Sequence, residues 1–296
     1  MVAGEGGPMQ QFDSLILANR PLAPGFRELV LEWRTEAGRP RPGQFLSLRV
    51  SQGYDPLLRR PFAFSGFSEA EAGQPRASII YQVRGRATLL LADLAPGASV
   101  DLLGPLGNGF PEPAIFAAEA SSPLLAAGGI GLGPVLFLAT ELEMARRAAG
   151  GAAGGTARAG GTAAGMTAAP AAPFVIGFRT AGAIPDIALP EGAVLCTDDG
   201  SRGFKGTALD WIAHNAPEGR VRLCGCGPSP MLAALAAHAR ARGWEASLSA
   251  EQWMACGVGA CMGCALPARG GGFLRACADG PVFERDAIEW ARGASA

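Results

Sequence analysis

The sequence predicts a multi-domain chain of β and α/β type: an antiparallel β-barrel, then a parallel, helix-covered α/β sheet, then a small carboxy-terminal module. Three observations predict it. Short apolar runs broken by Pro and Gly fill residues 14 to 103, strand and helix patterns alternate after Pro113, and four closely spaced cysteines follow residue 248. The length of 296 residues suits two domains, or two and an appendage, at roughly 150 residues each. With 49% hydrophobic and 17% charged residues, the chain is too apolar to be generally disordered.

The first part, residues 1–112, carries the runs Leu15-Ile16-Leu17, Leu29-Val30-Leu31, Phe45-Leu46-Ser47-Leu48, Ser78-Ile79-Ile80-Tyr81 and Val100-Asp101-Leu102-Leu103. Strands this short, at this spacing, suit an antiparallel barrel or sandwich. One helix is predicted among them, over Ala87 to Leu94. The second part, residues 113–247, alternates strands (Leu124–Ala127, Phe174–Phe178, Val194–Cys196, Val221–Leu223) with helices (Pro134–Arg147, Thr207–His214, Met231–Arg242). That alternation is the signature of a parallel sheet between helices. Pro230 suits a first helical turn, and Gly243 suits a left-handed cap. Between Ala148 and Pro173 the chain is almost entirely Ala, Gly, Thr and Pro with Arg158 the one charge, which predicts a flexible surface insertion. Residues 248–296 are too few to build a large core, so something must staple them.

Charge excludes some partners. Lys+Arg is 25 against Asp+Glu 26, with no basic stripe for nucleic acid. The stretch Ala120–Thr140 lacks charges, but Pro123, Pro134 and four glycines break the helix a membrane span would need. With no basic start or apolar core of a secretory signal in residues 1–11, a cytoplasmic location is expected.

Cys256, Cys261, Cys264 and Cys277 read C-x4-C-x2-C-x12-C, and the first three reproduce the spacing of plant-type 2Fe-2S ferredoxins. Four thiolates must reach two irons, three from one tight loop. Gly257, Gly259 and Gly263 let that loop wrap and turn N–H groups toward sulfur. A structural zinc site also takes four thiolates, usually as two close pairs, and only one close pair exists here. Cys196 and Cys224 read as small core hydrophobes. Cys226 opens the turn Cys226-Gly227-Pro228 at a strand's carboxyl end, where open sheets place ligands, and suits core packing or a cofactor contact equally.

Gly128-Gly129-Ile130-Gly131-Leu132-Gly133-Pro134 follows a strand and opens a helix, a setting in which backbone amides receive phosphate, although glycines there also serve close packing. In the barrel, Arg59-Arg60-Pro61-Phe62-Ala63-Phe64 sets arginines beside aromatics, able to hold a diphosphate and cover a planar ring, or to form a solvated arginine pair before a strand.

Seven segments in this order, LLRRPFAFS (57–65), GPLGNGF (104–110), GGIGLGP (128–134), TDDGSRGFKG (197–206), CGPSPM (226–231), MACGVGACMGC (254–264) and CADGPVF (277–283), resemble one family. The chain is similar to the electron-transfer subunits of NAD-dependent dihydroorotate dehydrogenases, within the ferredoxin-reductase-like flavoproteins, nearly throughout except for 148–173. The resemblance implies an FAD-binding barrel (1–112), an NAD-binding α/β domain (113–247) and a 2Fe-2S module (248–296). It implies that Arg60 holds the FAD diphosphate, that Pro61, Phe62, Ala63 and Phe64 line the isoalloxazine, and that Arg84, Gly85, Ala87 and Thr88 form a second FAD segment with Thr88 near phosphate. Gly129 and Gly131 would admit the NAD diphosphate. Asp199 would lie near its ribose and Cys226, with Gly227 and Pro228, near its nicotinamide, Cys226 being the catalytic candidate. Cys256, Cys261, Cys264 and Cys277 would hold the cluster. Phe62 and Ala63 depart from the wider reductase pattern of Tyr then Ser or Thr, and Ala87 stands where glycine is frequent.

The implied activity is electron transfer in pyrimidine biosynthesis, from the FMN of a catalytic subunit through 2Fe-2S and FAD to NAD, in a heterotetramer with two copies of each subunit. Two other readings stay open. One is the small FAD and 2Fe-2S subunit of a ferredoxin-NADP reductase or sulfide dehydrogenase complex, whose first cluster ligand is often aspartate where this chain has Cys256. The other is a non-catalytic, zinc-stapled binding module on the same scaffold.

Overall fold

The computed structural model describes residues 9–69, 73–152 and 172–290. Six strands close into an antiparallel barrel: β1 (Gln10–Ala23), β2 (Phe26–Glu32), β3 (Phe45–Arg49), β4 (Arg60–Ser68), β5 (Arg76–Gln82) and β6 (Ser99–Leu106), in the order β1-β2-β5-β4-β3-β6. Along β1 burial alternates, with Phe12, Ser14 and Ile16 inside and Asp13, Leu15 and Leu17 outside, as a half-covered strand requires. Trp33 fills the interior, edge-on to Phe12 and Phe64 with ring centroids 5.3 Å apart in each pair, while its Nε1 donates to the Gly38 carbonyl at 2.7 Å. The predicted helix is α1 (Arg86–Ala92), shorter at its end than expected. Strand β4 was not among the predicted runs, because Arg59, Arg60 and Pro61 break the apolar pattern.

After α2 (Pro113–Ala118), the second part contributes β7 (Ser122–Gly128), α3 (Leu132–Ala152), β8 (Phe174–Phe178), β9 (Val194–Thr197), β10 (Phe204–Lys205), α4 (Ala208–Asn215), β11 (Val221–Cys226), α5 (Ser229–Arg242) and β12 (Glu245–Ser249). Helix α5 ends at Gly243 with φ 67°, the left-handed cap expected there. Helix α3 runs to Ala152, so the first residues of the segment expected to be a loose insertion are helical. Most of the rest of that segment lies outside the described residues. The sheet order, β10-β9-β8-β7-β11-β12 with β15 (Val282–Glu284) at the edge, reverses direction of travel between β7 and β11. The crevice for ligands in such sheets lies above the carboxyl ends of those two strands.

The strands of the second part pair in parallel throughout, and β15, from the carboxy-terminal residues, joins their edge antiparallel to β12. Residues 251–290 share a core with the rest of the chain. Beyond a two-stranded ribbon of β13 (Ala265–Pro267) and β14 (Phe273–Arg275), their apolar side chains Leu266, Phe283, Ile288 and Trp290 share one core with Leu235 of α5, Leu248 of the sheet and Phe45 of the barrel. So short a segment buries enough apolar surface only by borrowing a neighbour's.

The carboxy-terminal segment is also latched to the barrel. Asn108 donates from Nδ2 to the Val282 carbonyl at 2.8 Å and accepts the Val282 N–H on Oδ1 at 2.9 Å, and its own N–H reaches Gly280 O at 2.7 Å. Two of the resembling segments, 104–110 and 277–283, therefore meet face to face. Asn108→Ala is expected to lower stability by about 1–3 kcal/mol, since the buried Val282 backbone loses both partners. An unchanged urea midpoint would contradict the latch.

Candidate functional site

The cysteine loop sits against the barrel. A Cβ on Gly257, whose φ of 71° favours glycine, would lie 3.7 Å from Ser47 Oγ and 3.9 Å from Leu106. Ser47 on β3 pairs with Pro61 on β4, the strand of the flavin-like segment. The loop is thus one strand away from that segment.

The four sulfurs gather as two pairs. Cys256 and Cys261 Sγ are 3.3 Å apart, as are Cys264 and Cys277 Sγ, and none of the four is in a disulfide. Backbone N–H groups point at sulfur: Gly259 at Cys277 (3.2 Å), Cys261 at Cys256 (3.4 Å) and Gly263 at Cys261 (3.4 Å). Hydrogen bonds led by the Val258 N–H hold the Cys256 thiol down to about 6, whereas burial first, then Cys264, pushes Cys277 up to about 12. Among the described residues no three Cys, His, Asp or Glu side chains close on one metal position. A two-plus-two donor set fits a two-iron cluster, in which four thiolates are shared between two irons, better than one tetrahedral ion.

On the barrel, Pro61, Phe62 and Ala63 are half-buried, and Phe62 meets Tyr81 edge-on at 5.9 Å. Phe64 differs. Its ring is wholly enclosed beside Trp33, with no face open to a ligand. The Arg60 guanidinium turns back onto the carbonyls of Leu58 (2.6 Å) and Arg59 (3.3 Å). Arg59 reaches across the barrel to the Asp101 carboxylate and, at 3.0 Å, to its carbonyl. At the start of α1, Thr88 Oγ1 accepts the N–H groups of Arg84 (2.9 Å) and Gly85 (3.1 Å) and donates to Gly85 O (3.0 Å). Its hydroxyl is therefore spent on the cap. Gly85 faces open space, and the Ala87 methyl is buried in the barrel core, so its replacing a glycine obstructs nothing outside.

At the sheet's crevice the glycine roles divide. A Cβ on Gly131 would overlap the Cys226 carbonyl, and one on Gly133 would press Ser65 of β4 at 3.3 Å, whereas Gly129 (φ 54°) meets nothing within 4 Å. Gly131 and Gly133 are close-packing glycines; Gly129 alone is open to a ligand. We expect Gly131→Ala to cost about 1–3 kcal/mol through overpacking and to disturb both turns. Gly129→Ala should leave dinucleotide-independent packing intact apart from about 1–2 kcal/mol of left-handed strain. A Gly131→Ala urea midpoint no lower than the native chain's would refute this division.

Cys226 is half-buried at the end of β11, beside buried Gly227 and exposed Pro228. Burial pushes its thiol up to about 12, with a Ser249 hydrogen bond pulling the other way. It is thus a neutral thiol at physiological pH rather than a nucleophilic thiolate. Asp199 is exposed at the end of β9 and accepts Ser201 N–H at 3.0 Å and Ser201 Oγ–H at 2.6 Å, which holds its carboxyl below the usual aspartate range. Sequence reasoning singled out neither Asn108, Ser201 nor Ser249; the first two lie inside resembling segments, and Ser249 carries no sequence signal.

No helix among the described residues is long and apolar enough to cross a membrane. Residues 251–289 match the model of the iron-sulfur cluster binding domain of dihydroorotate dehydrogenase B. The chain is 37% identical over 273 residues to the electron transfer subunit of dihydroorotate dehydrogenase B (NAD(+)) from Bacillus caldolyticus, covering 90% of this chain and 94% of that one. It is likewise 37% identical over 274 residues to the subunit from Geobacillus kaustophilus, with the same coverage. A chain of the NADH-dependent reduced ferredoxin-NADP oxidoreductase superposes with a TM-score of 0.72 at 22% identity, covering 94% of this chain and 90% of that one, a likeness of fold. By the extent and identity of the sequence matches, this chain belongs to the family of dihydroorotate dehydrogenase B electron transfer subunits.

Proposed function

We propose that the chain carries electrons from the FMN-containing catalytic subunit of a dihydroorotate dehydrogenase to NAD, using a 2Fe-2S centre on Cys256, Cys261, Cys264 and Cys277 and an FAD on the barrel. The observation that carries this reading is contiguity. The cysteine loop packs on Ser47, Ser47 pairs with Pro61 of β4, and Gly133 of α3 packs on Ser65 of the same strand. Three sites that are far apart in sequence border one strand.

Bound flavin would exchange an electron pair with NAD and single electrons with the iron-sulfur centre, a conversion neither can make alone. The chain's own residues bind and orient. Arg60 would hold a diphosphate, with Pro61, Phe62 and Ala63 lining the ring and the Arg84–Thr88 turn closing the phosphate end. Gly129 would admit the dinucleotide diphosphate, Asp199 would meet its ribose, and Cys226 would face the nicotinamide without adding charge. Trp253, Val258, Met262 and Phe273 are exposed around the cysteine loop and suit the catalytic subunit, in an assembly of two copies of each.

Anaerobically purified chain is expected to carry about two irons and about one FAD, to be bleached by NADH, and to oxidise dihydroorotate only with its partner. Zinc without flavin would overturn the proposal in favour of a binding module. Association with a glutamate-synthase-like large subunit would move the chain to the reductase complexes. Dihydroorotate oxidation by the isolated chain would refute the division of labour.

A further inference from the structure

Arg275, the last residue of β14, ties together two stretches of chain that both carry cysteine. Its N–H donates to Asp279 Oδ2 at 2.7 Å, and its carbonyl accepts the N–H groups of Ala278 (3.1 Å) and Asp279 (2.8 Å). Residues 275–279 are thereby closed into a turn with Cys277 at its centre. The guanidinium works in two directions: Nε donates back to Asp279 Oδ2 at 3.2 Å, while Nη1 donates to the Gly259 carbonyl of the cysteine loop at 2.6 Å. One arginine thus joins the turn holding the fourth cysteine to the loop holding the other three.

That bond to Gly259 governs where amides point. In a planar trans peptide the C=O and N–H face opposite sides, so a carbonyl held on the Arg275 side turns the Ala260 N–H the other way. The Ala260 N–H is among those that hydrogen-bond the Cys256 sulfur. On the other flank, the Gly259 N–H donates to Cys277 Sγ at 3.2 Å. The two peptide units around Gly259 therefore serve one sulfur of each pair. Gly259 itself is pressed onto the turn: its φ is 78°, and a Cβ there would lie 2.9 Å from the Ala278 methyl.

We propose that Arg275, pinned by Asp279, raises the reduction potential of the four-cysteine centre by holding the Gly259 carbonyl, and with it the Gly259 and Ala260 N–H groups, in place against Cys277 and Cys256. Arg275 is a positioning residue, acting through the backbone of the loop. The proposal rests on the two-iron reading of the four cysteines and goes beyond it by naming what tunes them. Reduction adds negative charge to such a centre, and N–H groups directed at its sulfurs stabilise that charge. The Arg275–Asp279 pair is neutral as a whole and each side chain is about a third exposed, so water screens its own field and the oriented amides carry the effect.

The test is a redox titration of the anaerobically purified full chain, following the electron paramagnetic resonance signal of the reduced centre, with iron per chain measured alongside. Arg275→Ala is expected to lower the ratio of reduced to oxidised centre at a fixed potential by about tenfold, which for one electron is a midpoint lower by about 59 mV. The double variant Arg275→Ala with Asp279→Ala removes one charge of each sign, and should keep most of that shift. Arg275→Lys keeps the charge on a single donating tip and should fall between the native chain and Arg275→Ala. A double variant with the native midpoint would reduce Arg275 to a bare charge and overturn the proposal, as would an Arg275→Ala midpoint at or above the native one. Should neither alanine variant retain iron, Arg275→Lys decides, and an unmoved midpoint at full iron overturns the proposal. A native chain with no reducible two-iron signal would instead refute the cluster reading itself, so the two failures are distinguishable.

Discussion

A Cys264→Ser chain is expected to fold but to lose its iron, and with it more than about 100-fold of the electron flow from the catalytic subunit to NAD, because loss of a ligand exceeds the 10–100-fold cost of losing a residue that merely supports one. Cys264 is buried, its sulfur 3.3 Å from Cys277 Sγ, and its carbonyl accepts the Ala276 N–H just after β14, which holds the residue in place. Cys224→Ala provides the contrast. Cys224 is wholly buried on β11 in the middle of the sheet, apart from the cysteine loop, and its replacement should leave the iron content unchanged. The measurement is iron per chain with the visible spectrum, followed by the NAD-linked rate in the reconstituted complex. Full iron in Cys264→Ser, or equal loss in Cys224→Ala, would remove the assignment of the four-cysteine set.

The largest stability effect is expected at Arg222. This side chain is 7% exposed, yet it forms a two-pronged pair with Glu119 (2.9 and 2.7 Å), reaches Glu284 Oε2 at 3.0 Å and donates to Ser247 Oγ at 3.1 Å. It joins four pieces of chain: the turn before β7, β11 itself, β12, and the antiparallel edge strand β15. Burial opposes its charge, but the Glu119 hydrogen bonds and the Glu284 charge more than offset that and raise its pKa. Arg222→Ala should cost about 3–5 kcal/mol, chiefly because Glu119 loses its two-pronged cation and keeps only the Ser121 hydroxyl, while Ser247 keeps only Glu284.

The pH dependence of that cost follows from Glu119. Its hydrogen bond from Arg222 holds its carboxyl below the ordinary glutamate range in the folded chain. A lowered folded value means the stabilisation is present above the unfolded pKa and is lost as pH falls through the folded one. The native chain should therefore lose part of its urea midpoint on acidification below about pH 4, and Arg222→Ala should lose less over the same interval. Parallel pH profiles for the two would mean that the Arg222–Glu119 pair does not contribute as described.

Periodicity and spacing carried much of the architecture. β8 has the limits its apolar run predicts, and α5 stops at Gly243 because only a left-handed residue ends a helix that way without strain. The cysteine spacing was legible because bringing three thiolates together from one tight loop restricts the intervals between them. β4 was legible only as a strand behind an arginine pair, since Arg59, Arg60 and Pro61 mask its start, and β12 was not, because its buried serines look like surface until Arg222 and Cys226 are seen to bond them. Both strands border the candidate site. A site strand trades apolar residues for polar and aromatic ones, and so loses the pattern by which strands are recognised.

The local sequence determined which segments are strand, helix and cysteine loop, since propensity, caps and ligand spacing act over a few residues. Tertiary structure decided which segments meet. That Gly131 serves packing against Cys226 while Gly129 stays open, that Phe64 is enclosed while Phe62 is not, and that Asn108 fastens the carboxy-terminal segment to the barrel are contacts across tens to more than a hundred residues. No local preference encodes them, because they arise only when the core shared by barrel, sheet and carboxy-terminal segment excludes water and leaves each backbone group one partner within reach.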